Sequence, residues 1–136
     1  MLPQVAAAAA VAAARQLMFP NSADTVPTCE DQEDHVAMST SAARRAHDVL
    51  LLAQQVVAIE LLCAVRGLHL LLEAPAHRGA ALGAGTRAAF ELLRPQLGSE
   101  APADDIAIVL RHLRDGSLVA AAAAAAGPLP PVVDHA

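Results

Sequence analysis

The feature that most constrains this chain is an unbroken apolar run. Val49 to Val65 is 17 residues long, with Gln54, Gln55 and Glu60 as its only polar members. It lies inside a longer stretch, Glu33 to Leu72, that holds no proline and no glycine before Gly67. Such a stretch reads as one long helix, about 55–60 Å at 1.5 Å per residue. Its first part is amphipathic, with Arg44, Arg45 and Asp48 marking a wet face. From Val49 onward it is apolar nearly all round, and a helix of that kind must be covered on every side. The rest of a 136-residue chain offers too few segments to do so. The chain therefore needs partner surface, from copies of itself or from another protein.

The remaining segments also read as helices. Gln4 to Leu17 is alanine-rich and is broken at Phe19-Pro20-Asn21-Ser22. A loop then runs to about Asp31. After Ala74-Pro75 a glycine-rich loop reaches Gly85, and Thr86 is expected to cap a helix over Arg87 to Leu93. Ala103 or Asp104 opens another helix, with acids in its first turn and Arg111 and Arg114 near its end, an order that suits the helix dipole. Gly116 stops it. Ser117 starts an alanine-rich helix ending at Gly127-Pro128, and the tail over 127–136 is expected to be disordered. With no Trp, no Tyr and two Phe, the core must come from Ala, Leu and Val, which favours closely packed helices over strands. The expectation is one all-α domain over 1–126, part of an oligomeric helical bundle.

Charge and composition exclude several functions. A net charge of −5 argues against nucleic acid, which demands clustered positive charge. The nine basic residues are all arginine, which removes lysine Schiff-base chemistry. Cys29 and Cys63 fit no metal spacing and read as reduced thiols of a cytoplasmic protein. His47, His69, His77 and His112 show no metal spacing either and read as surface or packing residues. Val5 to Ala14 is apolar but has no basic segment before it, so it does not read as a signal peptide. Val49 to Val65 is short for a membrane span and carries polar residues at its middle.

One segment carries chemistry. Pro27-Thr28-Cys29-Glu30-Asp31-Gln32-Glu33-Asp34-His35-Val36-Ala37-Met38 resembles the histidine ammonia-lyase pattern in which a P-T-S loop leads into Q-E-D-H-V-S-M. Upstream, Phe19 to Pro27 is similar to H-P-A-S-V-D-S-I-P. Downstream, Ala58-Ile59-Glu60-Leu61-Leu62 matches an A-I-E-L-L helix. Gly83 to Phe90, Asp104-Asp105-Ile106 and Leu113 to Leu118 fall where that pattern continues. The resemblance runs from Leu17 to about Ala120. Asp31 stands where the family often has Asn, and Ala37 where it usually has Ser.

The resemblance implies an all-helical and usually tetrameric enzyme with sites assembled from more than one chain. It implies an electrophilic methylidene-imidazolone, made from an internal Ala-Ser-Gly, and elimination of ammonia from histidine, phenylalanine or tyrosine. Some relatives are 2,3-aminomutases. This chain holds no Ala-Ser-Gly and no tyrosine, so neither that cofactor nor the family's tyrosine base is supplied here. It reads as a truncation, or as the small subunit of a split enzyme whose larger partner carries Ala-Ser-Gly. Glu33 is the expected catalytic and substrate-binding residue, matching a pocket acid that holds an ammonium or accepts a proton. Its structural alternative is a helix-terminal acid held by the dipole. Gln32 joins it as a substrate-binding residue or orients it; the alternative is a loop amide bonded to backbone. Asp34 and His35 are expected to brace the loop–helix junction, and Glu60 to pair with an arginine, from a neighbouring chain or its own, because a lone buried charge is costly. Cys29 lacks the context of a nucleophile. Glu at position 33 leans towards histidine-type or aminomutase-like substrates. The other readings are a structural or regulatory remnant binding a full-length relative, and a fragment without function. The absent Ala-Ser-Gly and tyrosine make one prediction: purified alone, the chain forms no urocanate or cinnamate and shows no methylidene-imidazolone absorbance, and a spectrophotometric assay at high protein concentration checks it.

Overall fold

The computed structural model describes residues 2–23, 25–77 and 80–127. Five α-helices account for most of them, and the only strand-like pairing among the described residues is an isolated bridge, Thr28 with Glu33. The helices are α1 (Leu2–Gln16), α2 (Ser39–Glu73), α3 (Ala84–Leu93), α4 (Pro102–Arg114) and α5 (Ser117–Ala126). The chain is all-α, as its composition dictates. Its tertiary contacts resolve two compact units, Met1–Val57 and Ala58–Ala136, with the boundary inside α2. The tail from Pro128, expected to be disordered, lies outside the described residues.

The long helix is real but starts later than its sequence suggests. At 35 residues it is about 52 Å long. The difference lies at its beginning, where residues 33–38 belong to the preceding loop. The Thr25 hydroxyl accepts from the Val36 backbone N–H at 3.0 Å, and Thr28 and Glu33 exchange both backbone bonds. Those backbone groups are committed before a helix can use them, and the first turn closes only when Ala42 N–H donates to Met38 O. Within the first unit, Arg45 donates to the Phe19 carbonyl at 2.6 Å and Asn21 donates to Ser41 Oγ at 2.8 Å. These bonds fix the Phe19–Ala23 segment against the start of α2. Only Ala10 is buried on α1.

The core belongs to the second unit. Ala58, Leu62 and Val65 of α2 meet Leu93 and Leu97, Val109 of α4 and Leu118 of α5. Positions 58, 62 and 65 are spaced four and three apart, so they form a single stripe. By length and composition α2 could cross a membrane; this stripe is its share of the second unit's core. The alanine run, unassigned from sequence, has a packing role. A Cβ on Gly85 of α3 would sit 3.2 Å from Ala122 O and 3.4 Å from Ala126 Cβ. Small residues on both helices therefore let α3 and α5 approach closely. Gly116, at φ 76°, ends α4 and admits α5, whose Ser117 N–H donates to Asp115 Oδ1 at 2.9 Å. Hydrogen bonds from Ser117 hold the Asp115 carboxyl below the usual carboxylate range. Thr86 is not the cap expected of it; Gly83 precedes the helix and no side chain caps α3.

A buried charge ties this unit together. Asp105 has no solvent exposure. Its carboxylate accepts from Gly98 N–H (3.2 Å), Ser99 N–H (3.1 Å) and Arg66 Nη2 (2.6 Å). Burial pushes its pKa up, but the two backbone N–H groups and the Arg66 guanidinium together outweigh that and leave it lowered. His112, also buried, lies 2.6 Å from Ser117 Oγ through Nδ1 and 3.0 Å from Gln96 Nε2 through Nε2. A neutral ring donating from Nδ1 satisfies both contacts. Because the folded-state pKa of Asp105 lies below its unfolded value, its contribution is complete above pH about 4 and is lost as pH falls through the folded value. Asp105→Ala removes the shared acceptor of these donors and is expected to cost on the order of 3 kcal/mol. Urea melts at pH 7 and pH 3 check this: the loss should be large at pH 7 and smaller at pH 3.

Candidate functional site

The segment that resembles a lyase pocket wall is an exposed loop with a defined shape. Thr28 N–H donates to Glu33 O at 3.0 Å and Glu33 N–H to Thr28 O at 3.2 Å, closing a narrow ladder. Between them Cys29, Glu30 and Asp31 all adopt left-handed backbone, with φ of 55°, 56° and 67°. Three successive non-glycine residues in that region cost about 1–2 kcal/mol each. Gln32 N–H closes the turn onto Cys29 O at 3.2 Å. Strain of this kind gathers where a side chain has to be aimed, and the observation leads to a functional hypothesis rather than the reverse.

Glu33 is what the turn aims. It stands at the foot of the ladder, six residues before Ser39, so it is not the helix-terminal acid that the sequence allowed as its alternative. Its Oε2 accepts from Thr28 Oγ1 at 2.9 Å. Thr28 is the positioning residue that sequence reasoning missed; the available signal was a hydroxyl five positions before the acid. Gln32, which was expected to orient Glu33 or bind substrate, is exposed and makes only its backbone turn bond among the described contacts. Asp34 and His35 are exposed and precede Ser39 by five and four residues. Neither side chain caps α2. His35 lines a shallow depression of about 380 Å³ with Pro20, Asn21 and Val36 to Ser39. Glu60 is exposed on α2 and has no arginine partner among the described residues; within this chain the buried ion pair is Arg66 with Asp105. Cys29 and Cys63 are free and exposed. No group of three metal-ligating side chains occurs among the described residues.

The loop thus offers one positioned carboxylate and one amide on an open surface. They can form a wall of a pocket but not enclose a substrate. The cofactor named by the resemblance does not fit this chain in isolation, since the tripeptide that forms it is absent.

Comparison with known proteins decides the family. The aromatic amino acid lyase family profile matches residues 1–95. The chain belongs to the aromatic amino acid lyase family. It is 40% identical over 129 residues to a histidine ammonia-lyase of Symbiobacterium thermophilum, covering 95% of this chain and 25% of that protein. It is 38% identical over 123 residues to a histidine ammonia-lyase of Natranaerobius thermophilus, covering 88% of this chain and 23% of that protein. A histidine ammonia-lyase 2 of Fusobacterium nucleatum is 42% identical over 97 residues, 71% of this chain and 18% of that protein. The chain spans about a quarter or less of the length of the curated relatives it matches. As a member of this family it carries the loop and the long helix.

If the left-handed turn is strained, relieving it must show. Glu30→Gly removes one Cβ penalty of about 1–2 kcal/mol against a glycine entropy cost of about 0.5–1 kcal/mol. Slower amide exchange at Thr28 and Glu33, by roughly twofold to tenfold, is the expected result in hydrogen–deuterium exchange.

Proposed function

We propose that this chain is the C-terminal component of a histidine or aromatic amino acid ammonia-lyase whose active site is completed by another chain. The carrying observation is the Thr28–Glu33 loop, a strained turn holding one carboxylate on an exposed surface, in a member of the aromatic amino acid lyase family. The open apolar surface of α2 supports the same reading. Leu50, Leu51, Val57 and Leu71 are 38–54% exposed along it, and a larger partner would cover them. In this reading the partner carries Ala-Ser-Gly and the tyrosine, the assembly is a cytoplasmic hetero-oligomer, and α2 joins its central helices. The methylidene-imidazolone would supply the electrophile from the partner's side.

The chain's own contribution is Glu33 and Gln32. Glu33 faces the substrate as a carboxylate that holds its ammonium or takes up a proton, and the Thr28 hydroxyl fixes which oxygen remains free. Gln32 presents an amide beside it. Glu60, exposed on α2, meets an arginine of the neighbouring chain and serves assembly. A 2,3-aminomutase would use the same pocket wall.

Glu33→Gln keeps size and removes charge. In a complex co-expressed with the Ala-Ser-Gly partner it is expected to leave assembly intact and to lower turnover by about 10²–10⁴. Glu60→Gln is expected to reduce complex yield with less effect on turnover of the complex that forms. Size exclusion and product absorbance measure both variants. Full activity of Glu33→Gln in an intact complex would exclude the catalytic role.

A further inference from the structure

The second unit carries a cationic groove that the lyase reading does not use. Arg66, His69 and Leu70 of α2 line it with Arg94, Leu97 and Gly98, around a volume of about 310 Å³. That is the lower end of the size that takes a small organic ligand. No carboxylate is among the lining residues.

The two guanidinium groups differ in how they are satisfied. Arg66 gives one N–H to buried Asp105, whose remaining acceptor capacity is taken by Gly98 and Ser99. Arg94 donates to Leu97 O at 3.2 Å and contacts His69 Nε2 at 2.7 Å. The Leu97 carbonyl is a neutral acceptor, and Arg94 has no carboxylate within 4 Å among the described residues. Glu73 lies 3.5 Å from the same His69 Nε2. A guanidinium has five N–H donors in a planar fork that matches a carboxylate, and Arg94 has spent two of them.

The walls fix the rest of the ligand. Leu70 is 67% exposed and Leu97 closes the groove from the core side. A phosphate set against leucines would give up hydration on its uncharged flank without return, whereas an organic carboxylate places an apolar body there. We propose that this groove binds a small monocarboxylate, with its anionic head on Arg94 and its hydrocarbon body between Leu70 and Leu97. The site is independent of Glu33 and of the lyase reading.

Equilibrium dialysis tests it, using the full chain in the assembly in which it purifies and labelled benzoate as the probe at constant ionic strength. One saturable site per chain is expected, not displaced by equimolar inorganic phosphate. Arg94→Gln is expected to weaken binding at least tenfold with an unchanged circular dichroism spectrum. Leu70→Asp sets a negative charge on the exposed rim without touching the core, so it decides the matter even if Arg94→Gln fails to fold; it too is expected to weaken binding at least tenfold. Absence of saturable binding, displacement by equimolar phosphate, or wild-type affinity in either folded variant would overturn the proposal.

Discussion

The structure depends on one unmet requirement, the cover of α2. A helix about 52 Å long that is apolar for half its length is stable in water only when its sides are packed. This chain buries a single stripe, Ala58, Ile59, Leu62 and Val65. Leu50, which lies outside that stripe, remains more than half exposed. Each fully buried leucine contributes about 1.5–3 kcal/mol relative to exposure, so the uncovered surface represents a large association energy. In the proposed reading, helices of another chain supply such cover.

What the chain does build alone is organised around a second constraint, the burial of Asp105. Packing α4 on α2 takes a carboxylate out of water, and the cost is offset by three donors. The arrangement explains why the Gly98-Ser99 corner and Arg66 occur together. It also places Arg66 and Arg94 on one groove, so the cationic character of that groove follows from how the core closes. His112 performs a similar service nearer α5, joining Gln96 to Ser117.

The helices were legible because periodicity and glycine–proline punctuation specify them locally. The collinear motifs made the family legible too. The start of α2 was not, because Thr25 claims a backbone group 11 residues away and Thr28 pairs with Glu33 only once the loop has folded. Thr28 itself was overlooked for the same reason: its partner is defined by a turn of three left-handed residues that no glycine announces. Asp105 looked like an ordinary first-turn acid; its burial depends on Arg66, 39 positions away. The role of the alanine run depends on a close approach at Gly85 that composition does not specify.

In the proposed reading Glu33 and α2 describe one object from two sides: a pocket wall and a helix that another chain completes. If both are completed by another chain, the protein cannot persist in solution as an isolated, stably folded unit. Sedimentation velocity over a range of concentrations, combined with a thermal melt of the same samples, tests this most directly. The account predicts species larger than the monomer, with a melting midpoint that rises with protein concentration. A monodisperse monomer that unfolds cooperatively at a concentration-independent temperature would contradict it.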